Sequence, residues 1–232
     1  MDLQHAARAV LGLGEAVELG LIAVNPCRSV PPPRAQRSET PHLDIDEARR
    51  LLEIVQGHRL EAAVILGLAG GMRLAEVCAL EWADVDFTTG KIAVTKSSWG
   101  TTKNGKTRTF TLPEPQLARL RRVKLEQAEK LLMFGVRQTE RTTVTAKSDG
   151  TPMAHQTLAG AFTKLAAAHG FPISFHGLRH TAAILMLTSG VDVKTAAARL
   201  GHNPALLLST YAHFVPSADR EAADRLAAAL AF

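Results

Sequence analysis

Ile173–Phe214 reads ISFHGLRHTAAILMLTSGVDVKTAAARLGHNPALLLSTYAHF, a stretch that gathers imidazoles, a guanidinium and a phenol within forty residues. His176, Arg179 and His180 open a run with helical character, so their i, i+3 and i+4 spacing puts two imidazoles and a guanidinium on one face. The guanidinium is a planar fork of donors matched to phosphate oxygens. A flanking imidazole moves a proton near neutral pH. Leu200-Gly201-His202 follows, and Asn203-Pro204 predicts the start of a short helix that presents Tyr211. Tyr211 is the one tyrosine of a chain with eight phenylalanines, so its phenol is not generic core filler.

Upstream, GGMRLAEVCAL places Arg73 two residues after Gly71 of the Gly70-Gly71 pair and three residues before Glu76. A surface ion pair of that spacing contributes well under about 1 kcal/mol, but the two glycines allow close backbone approach. Between these stretches, Ile92 and Val94 alternate within Lys91–Thr95, and a second alternating run covers Arg108–Leu112. Asn104-Gly105 lies between them and is a hairpin-turn signal, so a small antiparallel sheet is expected with Lys103 and Lys106 at its turn.

HGLRH, then LGHNP, then STYAH with Tyr211 nine residues after His202, closely resembles the second catalytic box of the tyrosine recombinases, the phage integrase family. GGMRLAEVCAL resembles that family's first arginine box, and TKNGKTRTFTL its lysine-bearing hairpin. The resemblance implies a mainly α-helical fold with a small antiparallel β-sheet (α+β), in agreement with the periodicities along the chain. It also implies a site-specific DNA recombinase that cleaves and rejoins strands through a covalent 3′-phosphotyrosine, with no metal and no cofactor.

By the same resemblance, Arg73, Lys103, His176, Arg179, His202 and Tyr211 are the catalytic set. Tyr211 is the nucleophile, Arg73 and Arg179 clamp the non-bridging oxygens, and His202 adds a hydrogen bond. His176 accepts or donates a proton, and Lys103 is the acid on the leaving oxygen, with Lys106 as its runner-up. Glu76 orients Arg73 or its neighbours. His180 is read as structural or supporting rather than catalytic. His176 and His180 at i, i+4 are the nearest thing to a zinc pattern, but the intervening residues are Gly-Leu-Arg, with no general-base Glu of the HExxH type.

Composition narrows the class. The chain has 232 residues, enough for one sizeable domain and an appendage, and a formal charge of +5 favours a polyanionic partner. Lys96, Lys103, Lys106, Arg108, Arg119, Arg121, Arg122 and Lys124 crowd into thirty residues, the electrostatic footprint of a phosphate-backbone binder. Cys27 and Cys78 form no ligand spacing and no disulfide framework, and the uncharged apolar run Ala62–Met72 is too short for a bilayer. A cytoplasmic, nucleoid-associated protein of bacterial or phage origin is expected.

Residues 1–40 predict one amphipathic helix to about residue 24, with Val10, Leu13, Val17 and Leu21 in its stripe, then a linker through Pro31-Pro32-Pro33. The phrase ELGLIAVNPCRSV is similar to the last helix of the family's core-binding domain and its hinge. Residues 41–232 are the expected catalytic domain. Asp44 and Glu47 form a capping box, helices follow at about 60–68, 114–134 and 155–168, and Ser217 caps a last helix. Family members assemble on double-stranded DNA as tetramers and exchange a C-terminal segment between neighbours, which makes the helix after Ser217 the expected exchanged element. Two alternatives fit parts of the pattern: a type IB topoisomerase, which shares the chemistry, and a non-catalytic DNA-binding or architectural protein on the same fold.

Overall fold

A computed structural model describes residues 3–29, 40–97, 100–101, 107–211, 227–228 and 230. The chain divides into two compact units, residues 1–39 and 40–232. In the first, helix α1 (Leu3–Glu18) ends earlier than its apolar periodicity predicts. Gly20 takes a left-handed φ of 69°, which turns the chain out of the helix. Asn25 then ties the returning segment to the helix, donating from Nδ2 to the Val10 carbonyl at 2.9 Å and accepting from the Cys27 amide at 3.0 Å.

The second unit begins with α2 (Ile45–Ile54), which starts at the expected capping box. Asp44 Oδ1 accepts from the Glu47 amide at 2.8 Å, and Glu47 Oε2 accepts from the Asp44 amide at 2.9 Å. Next comes α3 (Glu61–Leu68), whose eight residues are all buried. A helix of sequence EAAVILGL has no polar face to show solvent, so other helices surround it. One of them is α7 (Phe175–Thr188), and Gly67 makes the approach possible, since a Cβ there would sit 3.0 Å from Leu178 and 3.1 Å from Phe175.

The one charge on α3 is also buried. Glu61, 1% exposed, receives Arg119 Nε at 2.5 Å and Arg122 Nη2 at 2.9 Å from α5 (Glu114–Met133). The basic run therefore reads differently in three dimensions. Arg119 and Arg122 serve Glu61, Arg121 pairs with Glu114, Lys124 with Glu140 and Lys96 with Glu81. Apart from Glu114, which lies on the same helix as Arg121, these acids come from outside the basic run, so much of that charge is internally balanced rather than a free cationic surface.

After α4 (Leu74–Ala79), the sheet forms as two antiparallel pairs. Strand β1 (Lys91–Val94) pairs with β4 (Arg108–Thr111) in the register Lys91↔Thr111 to Val94↔Arg108. The short β2 (Lys96–Ser97) pairs with β3 (Gly100–Thr101). Ile92, Val94 and Phe110 point into the core, as period-two alternation requires. The expected turn at Asn104-Gly105, with Lys103 and Lys106, lies outside the described residues, as does the expected helix after Ser217.

The remaining described helices are α6 (His155–Ala168), α7, α8 (Val193–Leu200) and α9 (Pro204–Tyr211). The main core is built from α2 to α6, the sheet and the first half of α7. A second apolar cluster joins Ala183, Ile184 and Leu187 of α7 to Ala196, Ala197 and Leu200 of α8 and to Leu207 and Tyr211 of α9. It fixes the helix that carries the phenol against the helix that carries HGLRH. Truncating a fully buried leucine such as Leu207 in such a cluster costs about 2–5 kcal/mol.

Candidate active site

Helix α8 ends at Gly201, whose φ of 65° is the left-handed cap geometry that glycine adopts without strain. A helix C-terminus exposes unpaired carbonyls and carries partial negative charge. Here three guanidinium groups meet three successive carbonyls. Arg108 Nε donates to Arg199 O at 3.1 Å, Arg179 Nη2 to Leu200 O at 2.6 Å, and Arg73 Nη2 to Gly201 O at 3.2 Å. Arg179 also donates from Nη1 to Gly71 O at 2.6 Å.

The local sequence explains this approach. Gly71 has a φ of 61°, and a Cβ there would lie 2.3 Å from Leu200 Cδ2. Gly71 therefore lets the end of α8 close against the chain that enters α4, while Gly70 makes room for the Phe110 ring of β4.

Three cations at one helix end need an anion, and Glu76 provides it. Its carboxylate accepts the Arg73 amide at 2.8 Å, Arg73 Nη1 at 2.9 Å, and both arms of Arg108 at 2.8 and 2.6 Å. Burial pushes the Glu76 carboxyl pKa up, but the hydrogen bonds and charge of Arg108, followed by those of Arg73, outweigh it and bring the value down to about 2. The carboxylate stays ionised and holds both guanidiniums in place. Arg179 is 2% exposed, and burial together with the charges of Arg73 and Arg108 lowers its pKa to about 9, so it remains a cation at neutral pH.

Four further side chains share this field. His202 is half-buried, and burial, then Arg179 and Arg73, lower its pKa to about 4. His176 lies on the open face of α7 and is lowered by desolvation, then by the same two arginines. His180 packs edge-on against His176 with ring centroids 4.7 Å apart, and burial, His176 and Arg179 bring its pKa to about 4. Tyr211 is 4% exposed, and its phenol oxygen hydrogen-bonds His180 Nδ1. Burial raises the phenol's pKa while Arg179 opposes that rise.

Arg73, Glu76, His176, Arg179, His180, His202 and Tyr211 are thus brought into one electrostatic neighbourhood. Lys103 and Lys106 lie outside the described residues, so the structure places neither. Arg108 is the member that the sequence reading counted only as general basic charge. The signal was nevertheless present: Arg108, Phe110 and Leu112 occupy one face of the alternating strand, so an arginine stands in a core-facing register.

Two buried polar atoms in this neighbourhood, Arg179 Nε and His202 Nδ1, have no hydrogen-bond partner among the described residues. Buried polar atoms are normally satisfied. Each guanidinium is gripped by backbone or carboxylate on one side and keeps further N–H groups for an incoming acceptor.

Comparison with known proteins places the chain in a family. Residues 41–217 match the model of the phage integrase family. The chain is 27% identical over 241 residues to a tyrosine recombinase XerC-like protein of Caldanaerobacter subterraneus subsp. tengcongensis, covering 91% of this chain and 61% of that one. Against the crystal structure of XerA recombinase the TM-score is 0.64 at 26% identity, over 81% of this chain and 66% of that chain. A Tn1549 transposon integrase in complex with a circular intermediate DNA gives a TM-score of 0.73 over 96% of this chain and 78% of that chain, a likeness of fold at 20% identity. The chain spans about three-fifths of the length of the curated relatives it matches. Since the family match covers most of the sequence and takes in both arginine stretches and Tyr211, the chain belongs to the phage integrase family.

Proposed function

We propose that this chain carries the catalytic centre of a site-specific DNA recombinase, in which Tyr211 cuts and rejoins a DNA strand through a covalent 3′-phosphotyrosine. The observation that carries the reading is the anchoring of Arg73 and Arg179 on the adjacent carbonyls Gly201 and Leu200, beside His202 and within the field felt by Tyr211. Two fixed guanidiniums on one helix end form a ready cradle for the two non-bridging oxygens of a phosphodiester. Because backbone and Glu76 hold them before DNA arrives, little reorganisation is needed as charge builds on those oxygens.

In this reading Tyr211 Oη attacks the phosphorus, and the 5′ oxygen departs in line. Arg73 and Arg179 neutralise the equatorial oxygens, and His202 adds a hydrogen bond. His176 serves in proton transfer, and Lys103 protonates the leaving oxygen. The guanidiniums supply the positive charge that a metal supplies in other phosphoryl-transfer enzymes, and the reaction proceeds without a metal ion. Glu76 and Arg108 position Arg73 and fix the end of α8.

Double-stranded DNA is the proposed partner, bound as a homotetramer whose C-terminal segments pass between protomers. The DNA complex of the Tn1549 neighbour supports the substrate class. Residues 1–40 are the proposed end of a core-binding domain with its linker, and 41–232 the catalytic domain. The proposed location is the cytoplasm, on the nucleoid. Among the described residues no helix is long and apolar enough to cross a membrane.

The test uses a pool of randomised duplexes, each carrying a nick that lets the short cleaved fragment diffuse away. Wild type is expected to form an SDS-stable protein–DNA adduct, and Tyr211→Phe none. An undiminished adduct in Tyr211→Phe overturns the nucleophile. Salt-sensitive binding with no adduct in wild type overturns catalysis in favour of a DNA-binding protein. Adduct formation with supercoil relaxation but no strand exchange would make the protein a type IB topoisomerase.

A further inference from the structure

The resemblance gives proton transfer to His176, yet the phenol oxygen of Tyr211 hydrogen-bonds a different ring, Nδ1 of His180. Both rings sit on α7, one helical turn apart, and the second packs against Tyr211 of α9 with ring centroids 5.7 Å apart. Building on the recombinase reading above, we propose that His180 is the general base of the reaction, taking the Tyr211 phenol proton on Nδ1 as Oη bonds to phosphorus.

The step balances without an outside reactant. The Oη–H bond breaks as the Oη–P bond forms, and the proton passes to Nδ1, making an imidazolium. The P–O5′ bond breaks with its electron pair leaving on the 5′ oxygen, which takes its proton from a separate acid. Rejoining runs the sequence backwards and returns the proton from His180 to the phenol oxygen.

Three observations support this role. The His180 ring is fixed on one side by edge contact with His176, at 4.7 Å between centroids, and on the other by Tyr211, at 5.7 Å. Tyr211 is buried by the α7–α8–α9 cluster, so bulk water is poorly placed to take its proton. The groups that act on His180 are His176 and Arg179 on its own helix, His42 before α2, and Tyr211 on α9, with His202 near the end of α8.

Burial, then the imidazoles and the Arg179 cation around it, hold the free ring neutral at pH 7 with a lone pair available. An incoming phosphodiester adds negative charge to the same neighbourhood and favours the imidazolium. The base therefore becomes effective when DNA is seated, which keeps the phenol protonated and unreactive beforehand.

A role in mere positioning is separable from proton transfer. Asparagine places a hydrogen-bond acceptor near the location of Nδ1 but takes no proton at neutral pH, so His180→Asn retains positioning and loses the base. With a duplex recovered from the nicked pool, single-turnover cleavage by His180→Asn is expected to fall roughly 100-fold or more. The same loss is expected with a 5′-bridging phosphorothiolate, whose sulfur leaves without an acid. DNA binding should be unchanged, and the cleavage rate of the variant should rise with pH as the phenol ionises unaided. Added imidazole should restore part of the activity of His180→Ala.

Cleavage by His180→Asn at the wild-type rate overturns the proposal. So does a defect that the phosphorothiolate removes, since that would place His180 on the leaving group. If wild type itself makes no adduct, the recombinase reading falls; an adduct in wild type that His180→Asn forms equally fast sinks only the role of His180.

Discussion

Replacing Glu76 with Gln removes one charge, keeps the shape, and strikes the residue that holds Arg73 and Arg108 together. The carboxylate side chain is 5% exposed and its main partner Arg108 only 11%. In Glu76→Gln the Arg108 guanidinium remains buried among Arg73, Arg179 and the end of α8 with no anion to balance it. Breaking a buried ion pair from one side costs about 3–5 kcal/mol. The pKa gives a second route to the size: a fall from 4.5 to about 2 corresponds to about 3 kcal/mol at neutral pH. For a domain of this length that lowers Tm by roughly 10 °C.

The pH dependence has a definite sign. Because the folded-state carboxyl is depressed, its contribution is complete above about pH 4.5 and disappears as pH falls toward 2. Urea unfolding of wild type and Glu76→Gln across that range is the assay. The gap between the two proteins should be near its full size at pH 7 and should shrink steadily below pH 4.5. A gap under about 1 kcal/mol at pH 7, or one that stays constant down to the acid limit, would refute the assignment of Glu76 as the ionised keystone of the arginine cluster.

Other perturbations test neighbouring parts of the structure. Gly71→Ala forces a Cβ into Leu200 at a left-handed φ, and should cost about 2–3 kcal/mol in thermal unfolding; a loss of only a few tenths would mean that α8 is not pressed against this turn. Arg108→Lys replaces a bidentate fork by a point charge. It should weaken cleavage more than DNA binding, whereas equal loss of both would mark Arg108 as a simple DNA contact. Glu61→Gln leaves Arg119 and Arg122 facing an uncharged partner between α3 and α5, and should lower stability by about 3 kcal/mol while sparing cleavage at temperatures where the protein is folded. Loss of cleavage from a folded Glu61→Gln protein would tie that ion pair to the site.

Much of this arrangement was legible because local rules carried it. The Asp44–Glu47 capping box, the Asn203-Pro204 helix start and the alternation of Ile92, Val94 and Phe110 each depend on neighbours within a few residues, and each appears as read. The spacing of His176, Arg179 and His180 fixed their helix, since i, i+3 and i+4 admit one arrangement once the helix forms.

Long-range pairing was not legible. Glu76 meets Arg108 across 32 positions, and Arg179 meets Gly71 across 108, so no periodicity records either contact. The basic run from Lys96 to Lys124 suggests a free cationic face, but Glu61, Glu81 and Glu140 from outside the run, with Glu114 on the same helix as Arg121, neutralise much of it. Likewise the choice between His176 and His180 as partner of the phenol depends on how α9 packs on α7. That is set by the second apolar cluster, which the order of residues does not specify. The apolar stripe of α1 continues past Glu18 and predicts a longer helix, but the left-handed Gly20 ends it.

The most direct test of the central claim is tandem mass spectrometry of the nuclease-trimmed adduct formed on the nicked duplex pool. A single peptide bearing a 3′-nucleotide on Tyr211 is the expected result, lost in Arg179→Lys and Arg73→Lys proteins that still fold and bind DNA. A nucleotide on any other side chain, or an undiminished Tyr211 adduct when both arginines are replaced, would contradict it.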